Sequence, residues 1–435
     1  MLLWQTQEGL LNYLNKMFRI NLYLSTTVFF KSLFSFYSKD KENKAQKILK
    51  KLSNKKYSLF TPLCRVSFML ILMFIKSKYK KKNEIILCPY NLPEMVNVAK
   101  NLNYKVVYSD INYNTGFFNI EKLTKKINKK TCAVLLTNMF NSYADAKKIK
   151  NICKRKKIFL IEDNAIYFDN YSKKGKNKIN SGSLGDFSIY SFNIMKNISA
   201  LFGGAVVTNN SQFHHYAKKK IHNFKKFPIE LLFKQSIIFL VLKILSNKFL
   251  YKIIFFKIIK LSHLYNIKFF LKLFYPSLKF KKINFPNYYF SKMSNFSKKL
   301  VYFQLLNLHN RKENFNERKL KNIYYKKRFE SLNSKNFQIL NIKDDNYQNF
   351  IDFPVLVNDP KKLNYYLLKY GIESRVFYYN NCEKIFTKKI ISSKNSELYE
   401  KKIICFPNHR KISKDYIDYI VKMVKKFFAD NSSNK

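Results

Sequence analysis

The chain has 435 residues, 47% of them hydrophobic and 17% aromatic, which is enough for two packed domains and too apolar for a disordered chain. Its formal charge of +55 comes from 82 basic residues, only eight of them arginine, and the lysines form no single stripe. This reads as a compositional bias, and with arginine, the usual reader of bases, so scarce, no nucleic-acid partner is expected.

Six cysteines, Cys64, Cys88, Cys132, Cys153, Cys382 and Cys405, are scattered without a CxxC pair. That pattern argues against a disulfide framework or a zinc site and for a reducing, cytoplasmic compartment. His214 and His215 are adjacent and cannot share one helix face, so no metal site is expected there. The N-terminus begins MLLWQTQEGLL, without a basic start or a small-residue cleavage site, so no signal peptide is expected.

Residues 1–56 read as an N-terminal extension of helices with a Lys-rich connector, DKENKAQKILKKLSNKK. The apolar run from Val66 to Ile75, broken only by Ser67, is too short to span a bilayer and suits a buried helix. EIILCPY reads as a strand, LPEMVNVAKNLNYKVVYSDIN as a helix and a strand ending at Asp110, and 119–130 as a helix. CAVLLTNMF is a strand, ADAKKIKNICKRKK a helix, and KIFLIED a strand that ends on Glu162 and Asp163. GDFSIYSFNIMKN then delivers Ser191 and Lys196, and LFGGAVVTNN turns through Gly203 and Gly204 into another β-branched run. Strands alternating with helices imply an α/β fold with a mostly parallel, doubly covered sheet.

The segment 227–282 is rich in Phe, Ile and Leu but carries lysine at 234, 243, 248, 252, 257, 260, 268 and 272, so no transmembrane helix fits. Apolar helices edged with lysine suit a helical insertion packed on the body or a partner subunit. They also suit peripheral contact with an anionic membrane. Packing is the preferred reading, because biased composition puts lysine on any exposed face. KMSNFSKKLVYFQLLNL follows, then a long helix with Arg311, Arg318 and Arg328, and FIDFPVLV as a strand. KKLNYYLLKYGIESRVFYY reads as a helix stopped by Gly371 and then a strand, and the chain closes on a strand, Pro407 and a helix capped by Ser413. The expected organisation is an extension 1–56, a large domain 57–226, a helical insertion 227–288 and a small α+β domain 289–435.

A buried carboxylate, a hydroxyl and a lysine at neighbouring strand ends are what a pyridoxal phosphate (PLP) site needs. IEDNA, the Gly-Asp pair at 185–186, SFNIMK at 191–196 and GGAVVTN at 203–209 resemble, in order and spacing, the signature of the DegT/StrS-type sugar aminotransferases, PLP enzymes of fold type I. The resemblance covers roughly residues 60–220 and 289–428, and is most specific around Lys196. It implies that Lys196 is the Schiff-base lysine, Asp163 the partner of the ring nitrogen and Ser191 a phosphate ligand. Where the family has a Gly-Thr turn opening its phosphate-binding helix, this chain has Cys64, Arg65, Val66 and Ser67, and Arg65 could supply the charge. Tyr90, just after a strand, is a candidate to lie on the cofactor ring. The resemblance further implies amino transfer from glutamate to a nucleotide-linked keto sugar for surface polysaccharide, by a homodimer. Dehydratase relatives replace the lysine by histidine, so Lys196 counts against that branch. Three positions depart from the pattern: Ile166 replaces a glutamine, Phe290 an interface asparagine and Lys292 an arginine. They leave open a degenerate, non-catalytic scaffold or membrane-surface protein as the alternative.

Overall fold

A computed structural model of the chain describes residues 16–19, 21–140, 143–166, 181–274, 284–308, 312–341, 351–376, 379–387 and 391–432. Arg311 therefore lies outside the described residues, as does part of the 227–282 segment. The centre is a seven-stranded sheet ordered β1-β8-β7-β6-β5-β2-β4. Its strands are β1 (Tyr57–Thr61), β2 (Glu84–Leu87), β4 (Lys105–Tyr108), β5 (Thr131–Thr137), β6 (Phe159–Asp163), β7 (Phe187–Ser191) and β8 (Gly204–Thr208). Only β8 runs against its neighbours; the other six are mutually parallel. All seven residues of β5 are buried, as expected for a strand covered on both faces. Alternate residues feed two cores: Leu87, Leu135 and Ile161 on one face, Ile86, Val134 and Leu160 on the other.

Helices α1 (Thr26–Phe34) and α2 (Lys39–Ser53) precede the sheet, and α3 (Cys64–Lys78) follows β1. The lysine-rich stretch read as a connector is thus mostly helix α2. Ser38 caps it by accepting from the Lys41 N–H, and Ala45, Leu49 and Ser53 form its buried seam. Strand β1 was not expected either. The apolar run after it is the buried helix α3, as read. Helices α4 (Pro93–Asn101), α5 (Ile120–Lys126) and α6 (Tyr143–Arg155) connect the parallel strands, and α7 (Ser211–His222) follows β8.

The apolar 227–282 segment opens with α8 (Ile229–Leu245) and continues through a π-helical turn, Tyr251–Phe255, into α9 (Phe256–Leu264) and α10 (Lys268–Phe274). Phe239, Leu242, Phe255 and Ile259 pack into one core with Phe18, Leu22 and Phe29 of the N-terminal segment. No helix among the described residues is long and apolar enough to cross a membrane.

After α11 (Asn295–Leu306) and α12 (Lys312–Phe329), a three-stranded antiparallel sheet forms from β9 (Phe337–Ile339), β10 (Asp352–Val357) and β12 (Ile403–Pro407). Tyr325 and Phe329 of α12 stack on Phe353 and Phe406 to form its core. Helices α13 (Pro360–Lys369), α14 (Cys382–Phe386), α15 (Lys394–Lys402) and α16 (Lys414–Ser432) complete this part, and Ser413 caps the last by accepting from the Tyr416 N–H. Among the described residues, the strand expected after Gly371 comprises a bridge between Arg375 and Cys405 and the two residues of β11 (Asn380–Asn381). β11 pairs with β3 (Tyr90–Asn91) and so ties the small sheet to the large one.

Glu162 holds the turn that re-enters β7. Its buried carboxylate accepts from the N–H groups of Gly182, Leu184 and Gly185 at 2.9–3.0 Å and from the Ser188 hydroxyl at 3.1 Å. Gly182 has φ +88°, and a Cβ there would collide with the Tyr190 hydroxyl at 1.9 Å, so the turn requires glycine. Each stranded buried donor costs about 1–3 kcal/mol, so Glu162→Ala should lower the unfolding free energy by at least about 3 kcal/mol. Urea denaturation checks this; a loss under about 1 kcal/mol would mean the turn finds other acceptors.

Candidate active site

The parallel strands β6 and β7 end side by side, and their carboxyl ends open into a cavity of about 510 Å³. Asp163, the last residue of β6, lines it, as do Ser191, the last residue of β7, and Lys196, five residues further on. Glu162 precedes Asp163 on the same strand and faces the other way, into the turn it holds. The first two residues of α3, Cys64 and Arg65, also line the cavity. Four of the five candidates, Asp163, Ser191, Lys196 and Arg65, thus share one cavity.

Tyr90 does not line it. Its buried ring meets Tyr379 and Tyr399 edge-on at centroid distances of 5.8 and 5.7 Å. Pairing of β3 with β11 turns it into the joint between the two sheets, and Leu92 and Met95 reach the cavity from that segment instead. Ile166 lines the cavity as well. Phe290 sits in a 3-10 turn with its ring against Phe224 and Phe285. The neighbouring Lys292 N–H bonds the Lys225 carbonyl, and neither Phe290 nor Lys292 lines the cavity.

The loop carrying Lys196 is clamped. The Phe192 N–H bonds the Gly203 carbonyl and the Lys196 N–H bonds that of Asn193, each at 2.9 Å. Buried Gln304 of α11 accepts from the Ser199 N–H at 3.1 Å and donates to the Ser199 carbonyl at 2.6 Å. The Ser297 hydroxyl donates to Ala200, and Arg318 of α12 donates to Asn197, next to the lysine. Leu201 is held at φ +66°, a conformation a leucine takes only where its surroundings impose it.

Gly204, the first residue of β8, abuts the start of α3: a Cβ there would lie 2.5 Å from the Cys64 nitrogen. The helix start has no side-chain cap, since Leu63 occupies the N-cap. Uncapped N–H groups at a helix N-terminus favour an anion. Arg65 brings positive charge beside them, near Glu94 at 3.7 Å and the Tyr289 hydroxyl at 3.4 Å.

Burial pushes the Asp163 carboxyl up to about 6, against the pull of the Ala165 N–H at 2.9 Å and the Lys196 amine. Burial likewise lowers the Lys196 amine, with Asp163 resisting and Arg375 and Arg65 assisting. The Cys64 thiol is raised by the same burial and by Asp163. A buried carboxylate, an amine whose proton is loosened and an anion-binding helix start therefore face one space. These residues fit PLP: a carboxylate for the pyridinium nitrogen, an amine for the aldehyde and a helix terminus for the phosphate.

Sequence reasoning missed a second group on the cavity wall. Arg19, nearly fully buried, bonds Asp352 at 3.1 Å and reaches Glu373 at 3.5 Å. Arg375 approaches Asp352 at 3.6 Å, and the Tyr251 hydroxyl donates to Glu373 at 2.9 Å. His409, pushed down to about 3 by burial, is a neutral ring whose Nε2 donates to the Phe18 carbonyl at 2.8 Å. Arg19, Asp352, Arg375 and His409 all line the cavity, as do Asn21 and Tyr23 of the N-terminal segment and Gln235, Ile238 and Leu242 of α8. Pairings more than 300 residues apart leave no local pattern that sequence reasoning could have found.

The Asp163 shift fixes a sign for stability. Its folded value, about 6, lies above the ordinary 3.8, so burial costs nothing below about pH 4 and a growing amount as pH rises towards 6. Two pH units correspond to about 3 kcal/mol. Without cofactor, Asp163→Asn should match the parent near pH 4 and exceed it by up to about 3 kcal/mol at pH 7. Thermal unfolding at both pH values checks this; a variant less stable at pH 7 would mean that the carboxylate is fully compensated.

Comparison with known proteins agrees with this geometry. The model of the DegT/DnrJ/EryC1/StrS aminotransferase family matches residues 36–228 and 286–425. Among curated relatives, UDP-4-amino-4,6-dideoxy-N-acetyl-beta-L-altrosamine transaminase of Helicobacter pylori is 29% identical over 138 residues, 32% of this chain and 35% of that protein. GDP-perosamine synthase of Vibrio cholerae is 30% identical over 128 residues, 29% of this chain and 34% of that protein. The chain thus spans about a third of the length of these relatives. Among solved structures, Helicobacter pylori PseC, an aminotransferase of pseudaminic acid biosynthesis, superposes with TM-score 0.66 at 17% identity, over 95% of this chain and 100% of that one. GDP-4-keto-6-deoxymannose-3-dehydratase, solved with a trapped PLP-glutamate geminal diamine, gives 0.65 at 18% identity, over 92% and 97%. The fold is therefore that of the fold type I PLP enzymes, and the chain belongs to the DegT/DnrJ/EryC1/StrS aminotransferase family.

Proposed function

We propose that the protein is a PLP-dependent aminotransferase that moves an amino group from a donor such as glutamate to a nucleotide-linked keto sugar destined for surface polysaccharide. The observation that carries this reading is the meeting of Asp163 and Lys196 in one buried cavity at the ends of β6 and β7. When bound, PLP supplies an electron sink that eases proton loss from the donor α-carbon.

The residues divide the work. Asp163 holds the proton on the ring nitrogen, because an ionised carboxylate in so desolvated a place is stabilised by a cation directly before it. Lys196 Nζ would take the proton from the donor α-carbon and give it up to the cofactor carbon that carried the aldehyde, a role suited to an amine that burial has made easier to deprotonate. The uncapped start of α3, Arg65 and the Ser191 hydroxyl receive the phosphate. Arg375 offers a guanidinium to a substrate carboxylate. Asn21, Tyr23 and Gln235 face the cavity from the covering segments and would meet the acceptor. Lysine at 196, where dehydratase relatives carry histidine, favours amino transfer over dehydration. As in the family, we take the active form to be a homodimer.

The relatives named as a UDP-altrosamine transaminase and a GDP-perosamine synthase support the substrate class. The replacement at Ile166, which lines the cavity, points towards a different acceptor contact rather than loss of chemistry, because both reacting groups remain. Adding PLP to the purified protein should produce a visible absorption band that Lys196→Ala does not give. Asp163→Asn should keep the band but slow amino transfer by at least about a hundredfold, which corresponds to about 2.7 kcal/mol of barrier. A protein that stays colourless with PLP, or an Asp163→Asn variant with normal turnover, would refute the assignment.

A further inference from the structure

Helix α8 has two unlike faces. Gln235, Ile238 and Leu242 turn inwards to the cavity, and Phe239 packs on Phe29 at a ring distance of 5.2 Å. On the opposite side Ile229, Phe233, Ile237, Val241 and Ile244 are 73%, 68%, 46%, 46% and 59% exposed. Their spacing of three or four residues makes one straight apolar stripe along the helix. The elements packed in the same core continue the pattern: α1 exposes Phe30, Leu33 and Phe34, and the π-turn and α9 expose Ile254, Leu261 and Leu264. A monomeric soluble surface rarely leaves so many large apolar side chains together.

Charge decides what covers them. Between residues 225 and 269, the exposed charged residues are Lys225, Lys226, Lys234, Lys248, Lys257 and Lys268, against one acid, Glu230. A second copy docked through this face by a two-fold axis would set one lysine rim against the other. An anionic surface with an apolar interior meets both features at once. The 17 residues of α8 are too few and too charged to cross a bilayer but suit a helix lying in its interface.

We propose that the outer face of α8, with the adjoining faces of α1 and α9, seats the protein on an anionic lipid surface, with the Phe and Ile side chains among the acyl chains and the lysines at the headgroups. Because the inner face of the same helix walls the cavity, docking brings the cavity close to the lipid surface. The docking is independent of the aminotransferase reading and would stand if that reading failed.

The test is co-sedimentation of the full-length protein with vesicles of mixed phosphatidylcholine and phosphatidylserine, and with phosphatidylcholine alone. The protein should bind the anionic vesicles at physiological salt, weaken as salt rises, and retain an apolar component in salt that screens the lysines over less than about 8 Å. Phe233→Gln, Ile237→Gln and Val241→Gln together leave every lysine in place and should reduce binding at least about tenfold. Hydrogen exchange on the unaltered protein supplies a readout that needs no variant: amides of 229–245 should gain protection when anionic vesicles are added. Equal binding by parent and variant would reduce the association to net charge and overturn the proposal. Indifference of the parent to vesicles would overturn it too, as would a stripe variant that splits a dimer without changing vesicle binding, which would assign the face to a second copy.

Discussion

A carboxylate at the end of a buried strand costs free energy wherever no cation stands in front of it, and Asp163 is such a carboxylate. Its neighbours supply one backbone N–H and a lysine whose own charge burial disfavours, so the cavity is electrostatically unfinished without a ligand. Much of the surrounding structure serves to keep these two groups facing one another. Parallel pairing of β6 with β7 places the strand ends, and Glu162 draws the intervening turn tight behind them. Gln304, Ser297 and Arg318 pin residues 197–200 of the loop that follows, just beyond Lys196. Gly204 permits β8 to lie against the start of α3, bringing an anion-binding helix end to the same cavity.

The covering segments change the picture of the chain as a body with appendages. The N-terminal residues 16–19 and 21–24 are tied down by Arg19, by His409 on the Phe18 carbonyl and by Lys243 on the carbonyls of Leu22 and Leu24. Helix α8 packs over them, and both line the cavity. The described part of the apolar 227–282 segment packs on the body, and in α8 it does so through the inner face. The other reading, contact with an anionic membrane, concerns the opposite face of the same helix.

What the sequence made legible was local. The Ile-Glu-Asp end of β6, the serine and lysine after β7 and the glycine pair before β8 lie within about fifty residues, and their spacing carries the chemistry. The alternation of strands and helices was readable because apolar runs such as CAVLLT are buried on both faces. Strand β1 was missed because its five residues are too few to show a periodicity, and α2 because lysine on its outer positions hid the seam of Ala45, Leu49 and Ser53. Nothing near Tyr90 in sequence announces β11, which pairs with it, and Tyr90 is not among the residues lining the cavity. Arg19 acquires meaning only through Asp352 and Glu373, which folding brings from far along the chain, and Arg375 joins it on Asp352.

The central claim is that one lysine among the 82 basic residues is the reactive one, because the fold desolvates it opposite Asp163. The direct measurement is borohydride reduction of the PLP-loaded protein, followed by peptide mapping. Label confined to the peptide containing Lys196 is the predicted result. Label spread over surface lysines, or concentrated on any other one, would contradict the account.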